Sequence, residues 1–86
     1  MGEIKRIPNE IEIVFANHLK AIMRERGLTY ETLKDITGVP SSTLHDYYHC
    51  KVAIPLETAK RIADRLEVNF SWMIGESNMR VKKIAK

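Results

Sequence analysis

The stretch GVP at residues 38–40 separates two segments that are each long enough for roughly two turns of helix, and this arrangement constrains the fold more than any other feature. Thr29 is suited to cap the first segment, which extends to about residue 37. Gly38 permits a sharp turn without a Cβ clash, and Pro40, which lacks an amide proton, suits the first turn of a second helix over residues 41–49. We therefore predict two short helices joined by a tight link.

Apolar residues on both segments indicate how the two helices pack. Leu33 and Val39 precede the second helix, and Leu44 and Tyr47 lie on one side of it. Two short helices joined by three or four residues that include a glycine form a helix-turn-helix. In this arrangement the second helix is held with its N-terminal half outward, where it can enter the major groove of DNA.

The rest of the chain also has helical periodicity and helix-ending residues. Asn9 and Glu12 form a capping-box pattern before a helix over residues 10–26. Pro55 begins a fourth helix, and FSWMIG (residues 70–75) forms one more short turn. We predict that the apolar faces of the first and fourth helices consist of Ile11, Phe15, Leu19, Ile22, Met23, Leu56, Ala59, Ile62, Ala63 and Leu66. The predicted fold is all-α, with about five short helices.

Length and composition bound the class of protein. At 86 residues the chain has room for one modest core. We expect an N-terminal arm over residues 1–9, a helix-turn-helix domain over 10–75 and a basic C-terminal tail over 76–86. No apolar run approaches the roughly 20 residues that span a bilayer, and the N-terminus lacks the apolar stretch of a signal peptide. With a lone Cys50, these features predict a cytoplasmic protein with no membrane partner.

The net charge of +3 is unevenly distributed along the chain. Four basic residues lie within positions 80–86 with no acid among them, whereas residues 1–79 carry ten basic and eleven acidic side chains, a net charge of −1. Any binding of nucleic acid by the body must therefore rest on local placement of charge. In the tail, Arg80, Lys82 and Lys83 are candidate phosphate contacts; the alternative is a solvated chain end.

The segments LKAIMRERGLTYETLKDITGVPSSTL and IPLETAKRIADRLEVNFSWMIG resemble the phage-repressor and Cro type of helix-turn-helix domain, the Xre-like family. The resemblance extends without a gap from Leu19 to Gly75 and includes RERGLT, TGV at the turn, SSTL, LETA and RIADRLEV. It implies that double-stranded DNA is the partner, that the third helix enters the major groove, and that the start of the second helix meets phosphate.

The resemblance also assigns site residues by position. It implies that the residues facing base edges are Ser41, Ser42, His45 and Asp46, and that those near the DNA backbone are Thr29, Tyr30, Thr43, His49 and Lys51. The chain departs from the family at three places: Tyr30 stands where Gln is common, Lys34 where Ala is usual, and Cys50 where Gly is usual. The third helix also lacks Arg and Gln, which are strong base-contacting residues.

His45 and His49 lie four residues apart on the third helix, a spacing that can also hold a metal ion. A catalytic zinc needs a third protein ligand, and Cys50 is too close to the helix end to converge with both imidazoles. Solvated histidines are a further alternative. We predict no metal site and no cofactor, and we favour a role for both histidines at DNA.

No glycine-rich phosphate loop, nucleophile with a base at suitable spacing, or paired carboxylates are present, so we do not expect an enzyme. The leading hypothesis is a sequence-specific transcription regulator, a repressor acting as a homodimer with Trp72, Met73 and Ile74 in the core and the dimer interface. The alternative is a helix-turn-helix scaffold that binds protein, such as an anti-repressor or half of an antitoxin. A regulatory protein partner is compatible with either.

Overall fold

A computed structural model describes residues 9–80. Five helices account for most of this region: α1 (Glu10–Arg26), α2 (Tyr30–Thr37), α3 (Ser41–Tyr48), α4 (Leu56–Arg65) and α5 (Phe70–Met73). The predicted all-α fold of about five short helices is confirmed. Helix α3 packs between α2 and α1, and α4 packs on α2 and α5. Within residues 9–80, no helix combines the length and apolarity needed to cross a membrane.

The first helix begins and ends as its sequence predicts. The Glu12 amide donates to Asn9 Oδ1 at 2.8 Å, and the Asn9 amide donates to Glu12 Oε1 at 3.1 Å, which completes the capping box. Gly27 ends the helix with φ 65°. Ile11 is the exception to the predicted apolar face: it is 50% exposed, because the buried side of α1 begins one turn later at Phe15.

Pro40 and Pro55 lie directly before α3 and α4. Pro40 and Pro55 are the N-cap residues of α3 and α4, with ψ of 146° and 145°, so helical dihedral angles begin at the following residue. Helix α3 therefore begins at Ser41, the first residue of the predicted helix, and Pro40 precedes the helix instead of lying within its first turn. At its other end, α3 stops at Tyr48 with His49 as the C-cap, one residue short of the predicted end.

Helices α3 and α4 end with a non-glycine residue in the left-handed region. Cys50 has φ 57° and Glu67 has φ 60°. The amide after each bonds back across the last turn: Lys51 to the Asp46 carbonyl at 2.8 Å, and Val68 to the Ala63 carbonyl at 3.0 Å. This is the hydrogen bond of a Schellman motif, in which glycine is the usual residue.

The core joins the faces of α1 to α5, and it contains the predicted Leu33, Val39, Leu44 and Tyr47. Met73 is fully buried, while Trp72 and Ile74 are partly buried against it. Leu56 was predicted on the apolar face of α4 but is 61% exposed, because it is the first residue of the helix and the buried side begins at Ala59. The fully or almost fully buried residues of the hydrophobic core are Phe15, Leu19, Ile22, Met23, Leu33, Val39, Leu44, Tyr47, Ala59, Ile62, Ala63, Leu66, Val68 and Met73.

Candidate nucleic-acid interface

The turn between α2 and α3 is held by the hydroxyl of Thr37, which is 1% exposed. Its Oγ1 donates to the Leu33 carbonyl at 2.8 Å and accepts from the Val39 amide at 3.2 Å. Gly38 between them has φ 76°. Sequence reasoning did not assign a role to Thr37; the only signal for it was its place in the TGV motif. These two bonds hold the backbone at the turn between the two helices.

Helix α3 buries one side and presents the other to solvent. Leu44 and Tyr47 are buried in the core, whereas Ser42 is exposed and His45 and Asp46 are half-exposed. The His45 imidazole lies beside the neighbouring carboxylate, with Nδ1 3.8 Å from Asp46 Oδ1. Three of the four residues assigned to base edges thus lie on the accessible part of α3.

The fourth, Ser41, already has a partner within the chain. Its Oγ donates to Glu31 Oε2 at 3.1 Å, and Glu31 Oε1 lies 3.3 Å from Lys34 Nζ. The serine hydroxyl therefore ties the start of α3 to the first turn of α2. Thr29 is engaged in a similar way, since its Oγ1 accepts the Thr32 amide at 3.2 Å and caps α2. To contact DNA, the Ser41 or Thr29 hydroxyl would have to form a further hydrogen bond or give up the one it makes within the chain.

Four rings from α2, α3 and the end of α3 pack together, and we refer to Tyr30, His45, Tyr48 and His49 as the aromatic cluster. Tyr30 meets His45 and Tyr48 edge-on, with ring centroids 5.5 and 5.6 Å apart. His45 lies 4.4 Å from His49, and Tyr48 lies 5.0 Å from His49. Lys20 Nζ, from α1, lies 5.0 Å from the centroid of the Tyr48 ring. The rings connect the start of α2 to the exposed side of α3.

This packing changes the acidity of two of the rings. Burial raises the pKa of the Tyr30 hydroxyl, and Tyr48 adds to the shift, so Tyr30 keeps its proton and remains a hydrogen-bond donor. Desolvation lowers the pKa of His49, with further lowering from His45, Lys51 and Lys20 and a smaller opposing effect of Asp46. The lowered pKa favours the neutral form of the His49 imidazole.

No group of three or more His, Cys, Asp or Glu side chains suited to hold a metal ion occurs within residues 9–80. His45 and His49, the pair considered as metal ligands from the sequence, contact each other through their rings.

Arg80, assigned from the sequence to phosphate, lies against the helical body. Its two terminal nitrogens donate to the Glu25 carboxylate, and its guanidinium lies 5.0 Å from the centroid of the Trp72 ring. The hydrogen bond from Arg80 lowers the pKa of Glu25. Trp72 in turn stacks on His18, with centroids 3.9 Å apart and planes within 5°. The other candidate tail contacts, Lys82 and Lys83, lie outside the described residues.

Helices α2 and α3 are short and are joined by a tight turn, and the side of α3 that faces away from the core is open to solvent. This arrangement defines the helix-turn-helix class of DNA-binding domain. The family model for the Cro/C1-type HTH DNA-binding domain matches residues 18–71, from within α1 into α5, and the chain belongs to this family. The resemblance drawn from the sequence is thereby confirmed. Searches of curated proteins and of solved structures gave no match.

Proposed function

We propose that this chain is a sequence-specific transcription regulator that binds double-stranded DNA and acts as a repressor. The observation that carries the proposal is the presentation of α3, whose buried side is fixed by Leu44 and Tyr47 while Ser42, His45 and Asp46 remain accessible. Helices supported in this way enter the major groove, where each base pair presents a distinct pattern of donors and acceptors.

Each accessible side chain has a chemistry that suits a base edge. Ser42 can donate or accept a hydrogen bond, and Asp46 can accept one from the amino group of cytosine. His45 offers a ring nitrogen, and Ser41 joins this set when it exchanges Glu31 for DNA. Among these residues no Arg is present, so we expect preference for the site to come from several modest contacts.

Phosphate contacts are assigned to the residues around α3. The protonated hydroxyl of Tyr30 and the side chains of Thr43, His49 and Lys51 can donate to phosphate oxygens, and Thr29 lies at the same end of α2. Lys82 and Lys83 in the proposed tail, residues 76–86, would add positive charge that the body lacks. For Arg80 we propose attachment of this tail to the body, because its guanidinium donates to Glu25.

The proposed regulator is a homodimer. Two-fold symmetric domains of this kind bind half-sites about one helical turn of DNA apart. The proposed dimer surface includes Trp72 and Ile74, which are only partly buried, together with the largely exposed Met79. A two-fold interface uses the same patch on both partners, so a small apolar surface is doubled. Repression would follow from occupation of the operator.

A second candidate function is binding of a protein in place of DNA. Two carboxylates favour it: Glu31, beside Ser41 at the start of α3, has a side chain 75% exposed, and that of Asp46 is 41% exposed. Negative charge at this surface disfavours phosphate. The two functions differ in salt dependence, since affinity for duplex DNA falls steeply as salt rises when phosphates are contacted.

The test begins with selection of a binding site from a random pool of duplex DNA. Replacing Ser42 and His45 together by Ala should weaken binding to that site, since loss of each base contact costs about 1–3 kcal/mol. The melting temperature should change little, because Leu44 and Tyr47, the buried residues of α3, are retained. Affinity is measured by gel shift and stability by thermal unfolding.

The matched control is Lys60→Ala on α4, where the ammonium lies over the Phe70 ring on the α5 side. It should leave the preferred sequence unchanged. Unaltered affinity of the double variant would remove α3 from contact with bases. Failure of the pool to yield any preferred site, with no salt-dependent binding of duplex DNA by the wild type, would favour the protein-binding candidate.

A further inference from the structure

Tyr30 differs from the residue common in the family, and its ring has an unusual position. It comes from the first turn of α2, yet its closest ring neighbours, His45 and Tyr48, belong to α3. The ring is half-buried, so it packs against the core without being enclosed by it. A residue that contacts the accessible side of α3 from another helix can influence how that side meets DNA.

We infer that Tyr30 is a positioning residue: its ring fixes the orientation of the His45 imidazole and thereby determines the preference for one base pair of the binding site. The inference rests on the proposed DNA-binding function. It goes beyond that function because it assigns specificity to a residue expected only at phosphate.

The contacts of His45 leave little freedom to its ring. An imidazole on an open helix surface samples several staggered rotamers. Here Tyr30 lies 5.5 Å away with its plane inclined by 65°, and His49 lies 4.4 Å away with its plane inclined by 50°. Asp46 Oδ1 lies 3.8 Å from Nδ1. Neighbours in these three positions restrict the imidazole to a narrow range of orientations.

A fixed orientation matters because the two ring nitrogens of histidine differ. In a neutral imidazole one nitrogen donates and the other accepts a hydrogen bond. With Nδ1 of His45 beside a carboxylate, Nε2 is the nitrogen left to meet a base edge. A ring free to rotate would present either nitrogen and would distinguish base pairs poorly. Removal of the Tyr30 ring should therefore reduce discrimination more than it reduces affinity for DNA in general.

Three substitutions separate the ring from the hydroxyl. Tyr30→Phe keeps the ring and removes the hydroxyl, Tyr30→Leu keeps apolar volume against the core without a ring, and Tyr30→Gln supplies the residue common in the family. In the free protein, the Hα–Hβ coupling constants of His45, which report its χ1 rotamer, should be retained in the Phe variant and should move toward rotamer-averaged values in the Leu and Gln variants. His18 is the internal control, since it stacks on Trp72 and should be unaffected.

The second measurement uses DNA. The site selected by the wild type is compared with a panel of its single-base-pair variants. Discrimination at the pair identified by His45→Ala should be retained by Tyr30→Phe and should fall about fivefold or more in the Leu and Gln variants, the loss expected for one base contact. Binding to unrelated duplex DNA should fall by a similar factor in the Phe and Leu variants, because both lack the Tyr30 hydroxyl proposed to contact phosphate.

The outcomes are distinct. Unchanged His45 couplings in both ringless variants would overturn the inference, and so would full discrimination despite changed couplings. Equal loss of discrimination in Tyr30→Phe would also overturn it, because the effect would then belong to the hydroxyl. If the wild type binds no duplex DNA, the proposed function fails, while the His45 couplings still decide whether Tyr30 orients His45. Should the Leu variant not fold, the Gln and Phe pair carries the comparison.

Discussion

At the scale of the residue, the left-handed positions after α3 and α4 are occupied by side chains that disfavour this conformation. A Cβ in the left-handed region costs roughly 1–2 kcal/mol in close contacts, which glycine avoids. Cys50 has a compensating contact, since its Sγ lies 3.8 Å from the Glu12 carbonyl oxygen. Glu67 is exposed, so substitution there tests the backbone with little disturbance of packing.

We expect Glu67→Gly to stabilise the chain. Relief of the left-handed strain exceeds the greater flexibility that glycine gives the unfolded chain, and the net gain should be about 0.5–1 kcal/mol. Thermal unfolding should show a melting temperature raised by several degrees, about 4–8 °C per kcal/mol for a domain of this size. Glu67→Ala is the control, because it removes the carboxylate and keeps the strain. An equal rise in the Ala variant would attribute the effect to charge.

At the scale of the element, the hydroxyl of Thr37 determines how α2 meets α3. It bonds to one backbone group on each side of the turn, the Leu33 carbonyl and the Val39 amide. Both bonds are buried, so water cannot replace the lost partner if the hydroxyl is removed. One oxygen atom thus holds the backbone on both sides of the turn that leads into α3.

Thr37→Val keeps the shape of the side chain and leaves the Val39 amide without its acceptor. The expected cost is about 1–3 kcal/mol, read as a lower melting temperature. Thr37→Ser is the matched control: it keeps both hydrogen bonds and loses one methyl group, worth roughly 0.8 kcal/mol. A serine variant less stable than the valine variant would show that the methyl group, and not the hydroxyl, stabilises the turn.

The helices and their caps could be predicted from sequence because they depend on neighbouring residues. Asn9 and Thr29 cap their helices through bonds to residues three positions away, and Gly38 turns the chain within one residue. The aromatic cluster could not be predicted in this way. It depends on how α2 crosses α3, and helical periodicity carries no information about crossing geometry. The bond between Ser41 and Glu31 was missed for the same reason.

At the scale of the whole molecule, the basic residues of the C-terminal segment differ in their roles: the lysines add positive charge, whereas Arg80 attaches the segment to the helical body. Residues 1–79 have a net charge of −1, so we expect the lysines that follow to supply a large part of any attraction to phosphate. Arg80 is different, because it donates to Glu25 and lies over Trp72. Sequence alone treated Arg80 and the lysines alike, since the partner of Arg80 is 55 residues away along the chain.

Replacing Lys82 and Lys83 together by Ala should weaken binding to all duplex sequences by a similar factor. Each phosphate contact contributes about 0.9 to the slope of log affinity against log salt, so the slope should fall by roughly 1.8. Titration at several salt concentrations measures it. Arg80→Ala is the comparison, and it should lower the melting temperature while leaving the slope nearly unchanged. An unaltered slope in the double lysine variant would show that these lysines do not touch phosphate.

The stack of His18, Trp72 and Arg80 has a practical consequence for experiments on this chain. Trp72 is its single tryptophan, so the intrinsic fluorescence of the protein arises almost wholly at the junction of α1, α5 and the C-terminal segment. Indole emission responds to a stacked imidazole and to a nearby cation. Detachment of Arg80, or separation of α5 from α1, should therefore change the wavelength and intensity of emission without any label.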